Sequence, residues 1–148
     1  MSIKKLLLLI GLCALFAGCS TGGYYNTFYT NESNTQLGVR YLLGRGVKQN
    51  DTQAFYYFRK GAHQDDAFAQ NELAYLYAAG KGTPRNDGKA FMWYKKAAEH
   101  GLASAQFNLG LMYLYGIGTA PDRALAKEWI KKSAAHGFEP AVQKLSQL

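Results

Sequence analysis

Cysteine occurs at positions 13 and 19 and nowhere else in the 148 residues. Beyond position 19 the chain has no thiol and forms no disulfide, even in an oxidising compartment, so packing alone must stabilise it. The apolar run over residues 6–16 is too short to span a bilayer: eleven residues of helix rise only about 16 Å against a hydrocarbon core of ~30 Å. Catalytic patterns are missing as well. There is no Gly-x-Ser-x-Gly elbow and no His-Glu-x-x-His. The Gly-x-Gly pairs close helices and lack the Gly-Lys-Ser/Thr tail of a phosphate loop. Glu72, Glu99 and Glu128 are scattered acids on repeating helices, and no acid pair stands at a plausible glycosidase site. No catalytic residue, cofactor or metal site is expected.

The front of the chain is of a different class from the rest. Lys4 and Lys5 precede the apolar run, which ends in Leu15-Phe16-Ala17-Gly18-Cys19. That end resembles a bacterial lipobox, although Phe16 departs from the usual layout. The resemblance implies a signal peptide over residues 1–18, cleavage before Cys19 and lipid attachment on the Cys19 sulfur. The alternative is ordinary cleavage near Ala17 with Cys19 as a bystander. Each buried methylene contributes ~0.8 kcal/mol, so two or three acyl chains hold a protein far better than one. With Ser20 in place of an Asp, the same resemblance implies the outer membrane of a two-membrane host. Residues 19–30, polar with scattered tyrosines, read as a flexible tether with a reach on the order of 18 Å.

Removing Lys4 and Lys5 leaves 15 basic residues against 10 acidic ones, a net charge near +5. That modest excess fits an acidic envelope polymer or an acidic protein, and it is too diffuse to argue nucleic-acid binding.

Over the remainder, leucine returns every 36 residues, at Leu37, Leu73, Leu109 and Leu145. Tyr41, Tyr77 and Tyr113 keep the same register, as do the pairs Gly44/Gly46, Gly80/Gly82 and Gly116/Gly118. So do Ala54, Ala90 and Ala126, and the aromatics Tyr57, Trp93 and Trp129. A fixed period of this length means stacked supersecondary units. Within one unit, Leu73, Leu76, Tyr77 and Gly80 sit at helical spacing, predicting a first helix over residues 67–79 that glycine stops. Asn86-Asp87 starts a second helix, whose buried stripe is Ala90, Trp93 and Ala97 with Ala98 beside it, and Gly101 ends it. The small residues Gly38, Ala74 and Gly110 let two helices approach, and the aromatics at 57, 93 and 129 fill the volume between successive hairpins. Repeat 1 lacks the tryptophan and has Asp65 in place of the closing glycine, so its second helix is expected to end differently. Repeat 3 has Pro121-Asp122-Arg123 where the others have Asn-Asp, which moves the acid by one residue.

The runs LGVRYLLGRGV, LAYLYAAGKGT and LGLMYLYGIGT, with helices ending KGAHQD, KKAAEHG and KKSAAHG, resemble the Sel-one-like repeat, a relative of the tetratricopeptide repeat. The resemblance covers residues 31–148. It implies an all-α, right-handed α/α superhelical solenoid of three 36-residue hairpins, over residues 31–66, 67–102 and 103–138. Residues 139–148 would cap it as the first helix of a fourth unit, with Pro140 suited to a first turn. It also implies a partner-binding groove lined by first helices, at Thr35, Val39, Leu42, Asn71, Tyr75, Ala78, Phe107, Leu111 and Leu114. Several of these also read as hairpin core.

Other recurring residues have scaffold explanations. His100 and His136 share a repeat position, and hairpins about 10 Å apart hold equivalent side chains too far apart for one zinc. The doublets Arg59-Lys60, Lys95-Lys96 and Lys131-Lys132 complement helix C-termini, or form a basic ridge facing an acidic partner. The expected function is a lipid-anchored adaptor at the periplasmic face of the outer membrane, binding another envelope protein. The alternatives are a peptidoglycan-associated protein (glycan-binding or a weak cell-wall enzyme) and an immunity or effector-modulating lipoprotein.

Overall fold

Among the described residues seven helices follow one another: α1 (Asn34–Leu43), α2 (Asp51–His63), α3 (Ala67–Ala79), α4 (Asp87–Glu99), α5 (Ala103–Tyr115), α6 (Arg123–Ala135) and α7 (Glu139–Leu145). This computed structural model describes residues 32–148. The leader expected over 1–18, the lipid site at Cys19 and the tether over 19–30 lie outside the described residues. No strand occurs among the described residues, and none of their helices is long and apolar enough to cross a membrane.

Helix ends are set by residues 36 apart. Asn50, Asn86 and Asp122 are extended N-caps whose side chains accept from the backbone N–H of Gln53, Lys89 and Leu125. In repeat 3 the cap therefore keeps its register, and the acid has moved onto the cap itself. Gly44, Gly80 and Gly116 close the first helices in the left-handed region, at φ 68°, 68° and 64°. After the second helices, Gly101 and Gly137 turn the chain at φ 87° and 74°. The expectation that α2 ends differently is corrected here: Asp65 adopts φ 60° at the same repeat position, so the turn survives without its glycine.

Each hairpin closes on a row whose residue types do not repeat. Phe58, Tyr94 and Ile130, one position after the aromatic row, are all essentially inaccessible. The small residues opposite them are small for steric reasons. A Cβ on Gly38 would lie 2.8 Å from Phe58 Cδ1, and one on Gly110 would lie 2.6 Å from Ile130 Cγ1. Of the aromatic row itself, Trp93 is buried, while Tyr57 and Trp129 are half-buried.

Seams between hairpins repeat as well. Phe55 and Tyr77 meet edge to face at 5.2 Å, as do Phe91 and Tyr113 one unit later. Gly82 is pressed against the Asp51 carbonyl and Gly118 against that of Asp87. The buried amides of Gln70 and Gln106 donate to the carbonyls of Ala62 and Ala98, at 3.3 and 3.2 Å, near the end of the preceding second helix. Tyr41 has no earlier hairpin to meet among the described residues, and it stacks on Tyr57 of its own unit at 5.5 Å.

At the far end, α7 lays Ala141 and Leu145 over Phe107, Leu111 and Ile130, forming a second core cluster. Neither α5 nor α7 has a side-chain cap; their N-cap residues are Leu102 and Phe138. A lost cap costs ~1 kcal/mol, whereas burying a large apolar side chain contributes ~1.5–3 kcal/mol. Packing outweighs capping at these joints.

Candidate interaction surfaces

First helices lie inside the stack, and this decides what the nine groove candidates can do. On α3 every residue from 69 to 77 is buried, and on α5 every residue from 105 to 112. Asn71, Tyr75, Phe107 and Leu111 are therefore packed between hairpins, and the expectation that they face a partner is corrected. Phe107 meets the Phe138 ring at 5.6 Å. At the same junction one end earlier, Thr35 Oγ1 donates to Asp66 Oδ2 at 2.7 Å. The row 35/71/107 is thus a joint row, polar at one end of the stack and aromatic at the other. Leu42 and Ala78 pack part-exposed against the first core, and Leu114 against the second.

Val39 and Thr35 do border open space. Together with Glu32, Gln36, Arg40, Arg45 and Phe68 they line a cavity of about 380 Å³ where α1 meets the start of α3. At this repeat position repeat 1 holds a valine where repeat 2 holds the larger, buried Tyr75. Val39 and Phe68 make its apolar floor. On its rim Arg40 pairs with Glu32 at 2.7 Å and donates through Nε to the Arg45 carbonyl at 3.3 Å. The Arg45 side chain is exposed and enters none of the ion pairs found among the described residues. Among the described residues the site offers an apolar slot with the exposed Arg45 at its lip.

Buried polarity marks the centre of the stack. Glu72 is 3% exposed, and its carboxylate accepts from Asn71 Nδ2 at 2.9 Å. Burial pushes its pKa up to about 7, against the smaller lowering by that hydrogen bond. Tyr94 is pushed up too, first by burial and then by the charges of Glu72 and Tyr75. Asn71 Oδ1 and Asn108 Oδ1 find no hydrogen-bond partner within the described residues. The histidines are scaffold: His63 sits edge-on to Trp93 at 5.3 Å, and His136 Nδ1 lies 3.0 Å from Gln106 Oε1.

The second helices turn a different face to solvent. On α2 and α4 it bears Arg59, Lys60, Lys89, Lys95 and Lys96. On α6 it bears Arg123, Lys127, Lys131 and Lys132. Four acids stand on the same helices: Glu99 and Glu128, and Asp51 and Asp87 in the first turns. Aromatic rings hold a lysine at the same repeat position of each hairpin, Lys60 over Tyr56 at 4.6 Å, Lys96 over Trp93 at 4.7 Å and Lys132 over Trp129 at 4.2 Å, and Lys89 lies over Tyr77 at 5.3 Å. Lys60, Lys96 and Lys132 each lie in the last turn of their helix.

A family model described as the Sel1 repeat matches residues 31–66, 67–102 and 103–138. The chain belongs to the Sel1 repeat family. Its Sel1 architecture is shared with solved structures. A Sel1 repeat protein from Oxalobacter formigenes is 43% identical, with a TM-score of 0.72 over 78% of this chain and 86% of that one. A protective antigen present in uropathogenic Escherichia coli strains, which displays an SLR fold, is 33% identical with a TM-score of 0.74. That alignment covers 76% of this chain and 24% of the antigen, so the Sel1 repeats here span about a quarter of it. No curated protein matches the chain. Sel1 repeats make this an all-helical solenoid of the protein–protein interaction class.

Proposed function

We propose that this Sel1 repeat protein is a lipid-anchored envelope adaptor that binds another envelope protein through the cavity between α1 and α3. Anchoring is through Cys19, at the periplasmic face of the outer membrane. The reading is supported by the open apolar slot at Thr35, Val39 and Phe68, with Arg45 at its lip. Slots of this size, with a few polar groups, suit one or two side chains of an extended segment. The remaining groove candidates hold the stack together, so recognition is confined to the first joint. The function is binding, and no catalysis is assigned.

Crosslinking in cells followed by mass spectrometry tests it, comparing wild type with Val39→Trp, which fills the slot, and Arg45→Glu, which reverses the lip charge. The wild type should capture a partner that both variants lose at equal expression. An unchanged partner set in both variants would overturn the groove. Cys19→Ala should move the protein from the membrane to the soluble fraction, and retention in the membrane would overturn the anchor. Co-sedimentation with protein-free peptidoglycan that survives both groove variants would point to a glycan partner instead.

A further inference from the structure

The molecule's charge is unevenly divided. Of its 15 cations outside the leader, nine stand on the second helices with four acids, Asp51, Asp87, Glu99 and Glu128. Everywhere else, six cations are matched by six acids. The excess positive charge of the chain therefore sits on the second helices, and the rest of the chain is balanced. The lysines of their outward face are not freely waving. Lys60, Lys96 and Lys132 lie against aromatic rings at one repeat position, in a row whose steps follow the helix spacing of about 10 Å. Cations already ordered lose less conformational freedom when they meet an anion. The same face exposes large apolar side chains at one repeat position, Tyr56 at 39% and Met92 at 43%. Tyr56 carries Lys60 and meets Tyr57 edge to face at 5.2 Å, Met92 stands among Lys89, Lys95 and Lys96 on its helix, and the third hairpin has Glu128 at this position.

We infer that this outward face is a membrane-docking surface, which lays the solenoid flat on a bilayer rich in anionic phospholipid. Lysines and arginines engage the headgroup phosphates, while Tyr56 and Met92 enter the interfacial layer. A soluble polyanion would use the charges and leave the tyrosine and methionine idle; a bilayer interface uses both. The inference rests on the anchored reading, which holds the domain near a bilayer, and it fixes which side faces the lipid. The slot between α1 and α3 belongs to the first helices and stays clear for its partner.

Full-length chain reconstituted in vesicles of phosphatidylcholine alone, or of phosphatidylethanolamine with phosphatidylglycerol, tests this directly. A membrane-impermeant amine reagent read by mass spectrometry compares Lys60, Lys96 and Lys131 with Lys48, which lies off this face. On the anionic vesicles, labelling of the three should slow about tenfold relative to Lys48, and about 0.5 M NaCl should restore it. The doubly substituted Tyr56→Ser, Met92→Ser chain should lose most of that protection while keeping its helical circular dichroism. Equal labelling on both vesicle types would overturn the proposal. So would protection that ignores the double substitution, or that soluble polyphosphate reproduces without vesicles. A chain that leaves phosphatidylcholine vesicles on flotation but stays with anionic ones would overturn the anchor and support the docking face.

Discussion

Gly82 is packed so closely on the carbonyl of Asp51, one hairpin earlier, that no Cβ atom fits between them. Gly118 repeats the arrangement against Asp87, whereas Gly46 meets only an Arg40 guanidinium nitrogen at 3.5 Å from a Cβ position. All three share a left-handed backbone, at φ 69°, 66° and 68° in chain order. Gly46→Ala should therefore cost about 1 kcal/mol, the conformational penalty alone. Gly82→Ala adds a steric conflict at a seam and should cost about 3 kcal/mol or more. Urea unfolding of the two variants checks this, and equal losses would mean that the seam contact does not matter.

Glu72 makes stability depend on pH. Its folded-state pKa, about 7, lies above the 4.5 of the unfolded chain, so the folded state holds the proton more tightly. Stability is then greatest below pH 4.5, falls across the window up to about pH 7, and levels off above it. The loss is on the order of 3 kcal/mol. Glu72→Gln keeps an acceptor for Asn71 without the charge. Its melting temperature should match wild type at acid pH and exceed it at pH 8 (a midpoint series across the window reads both). A wild-type curve that rises through the window would contradict this.

Asp65 carries a turn that glycine carries in the other repeats, at φ 60°. Asp65→Gly removes the left-handed penalty and adds back some chain entropy, for a net gain of about 0.5 kcal/mol. Asp65→Ala keeps the penalty and should be less stable than wild type. Thermal melts that place Ala above Gly would show that this turn is not strained.

Removing residues 139–148 uncovers Phe107 and Leu111, now 3% and 1% exposed. Losing that cover should cost at least about 3 kcal/mol and raise binding of a hydrophobic dye. An unchanged melt would mean that α7 is not a cap.

The period made the scaffold legible because the rows that set it repeat one residue type. Leu73 and Leu109, Gly80 and Gly116, and Ala90 and Ala126 each face the same surroundings in every unit. Asn50, Asn86 and Asp122 follow the same logic as caps. Rows whose types vary were harder to place. Phe58, Tyr94 and Ile130 form a fully buried row of the hairpins, yet they share only bulk. Thr35, Asn71 and Phe107 vary because their partners vary with them: Asp66 is opposite Thr35, and Phe138 opposite Phe107. Variation of type read as exposure to a partner, and it is joint packing instead. The slot at Val39 lies at the repeat position of the larger Tyr75, and alternation of apolar types alone does not show it.

Because the seams at Gly82 and Gly118 are built from the same pieces, the chain can be lengthened between them. A copy of residues 67–102 spliced in after residue 102 would offer Gly118 the same Asp87 carbonyl it meets now, and would itself rest on the Asp87 of the original. Neither end of the protein would register the change. The first slot and the last cap would move apart by one hairpin, while the lysine row on the outward face would gain one more rung.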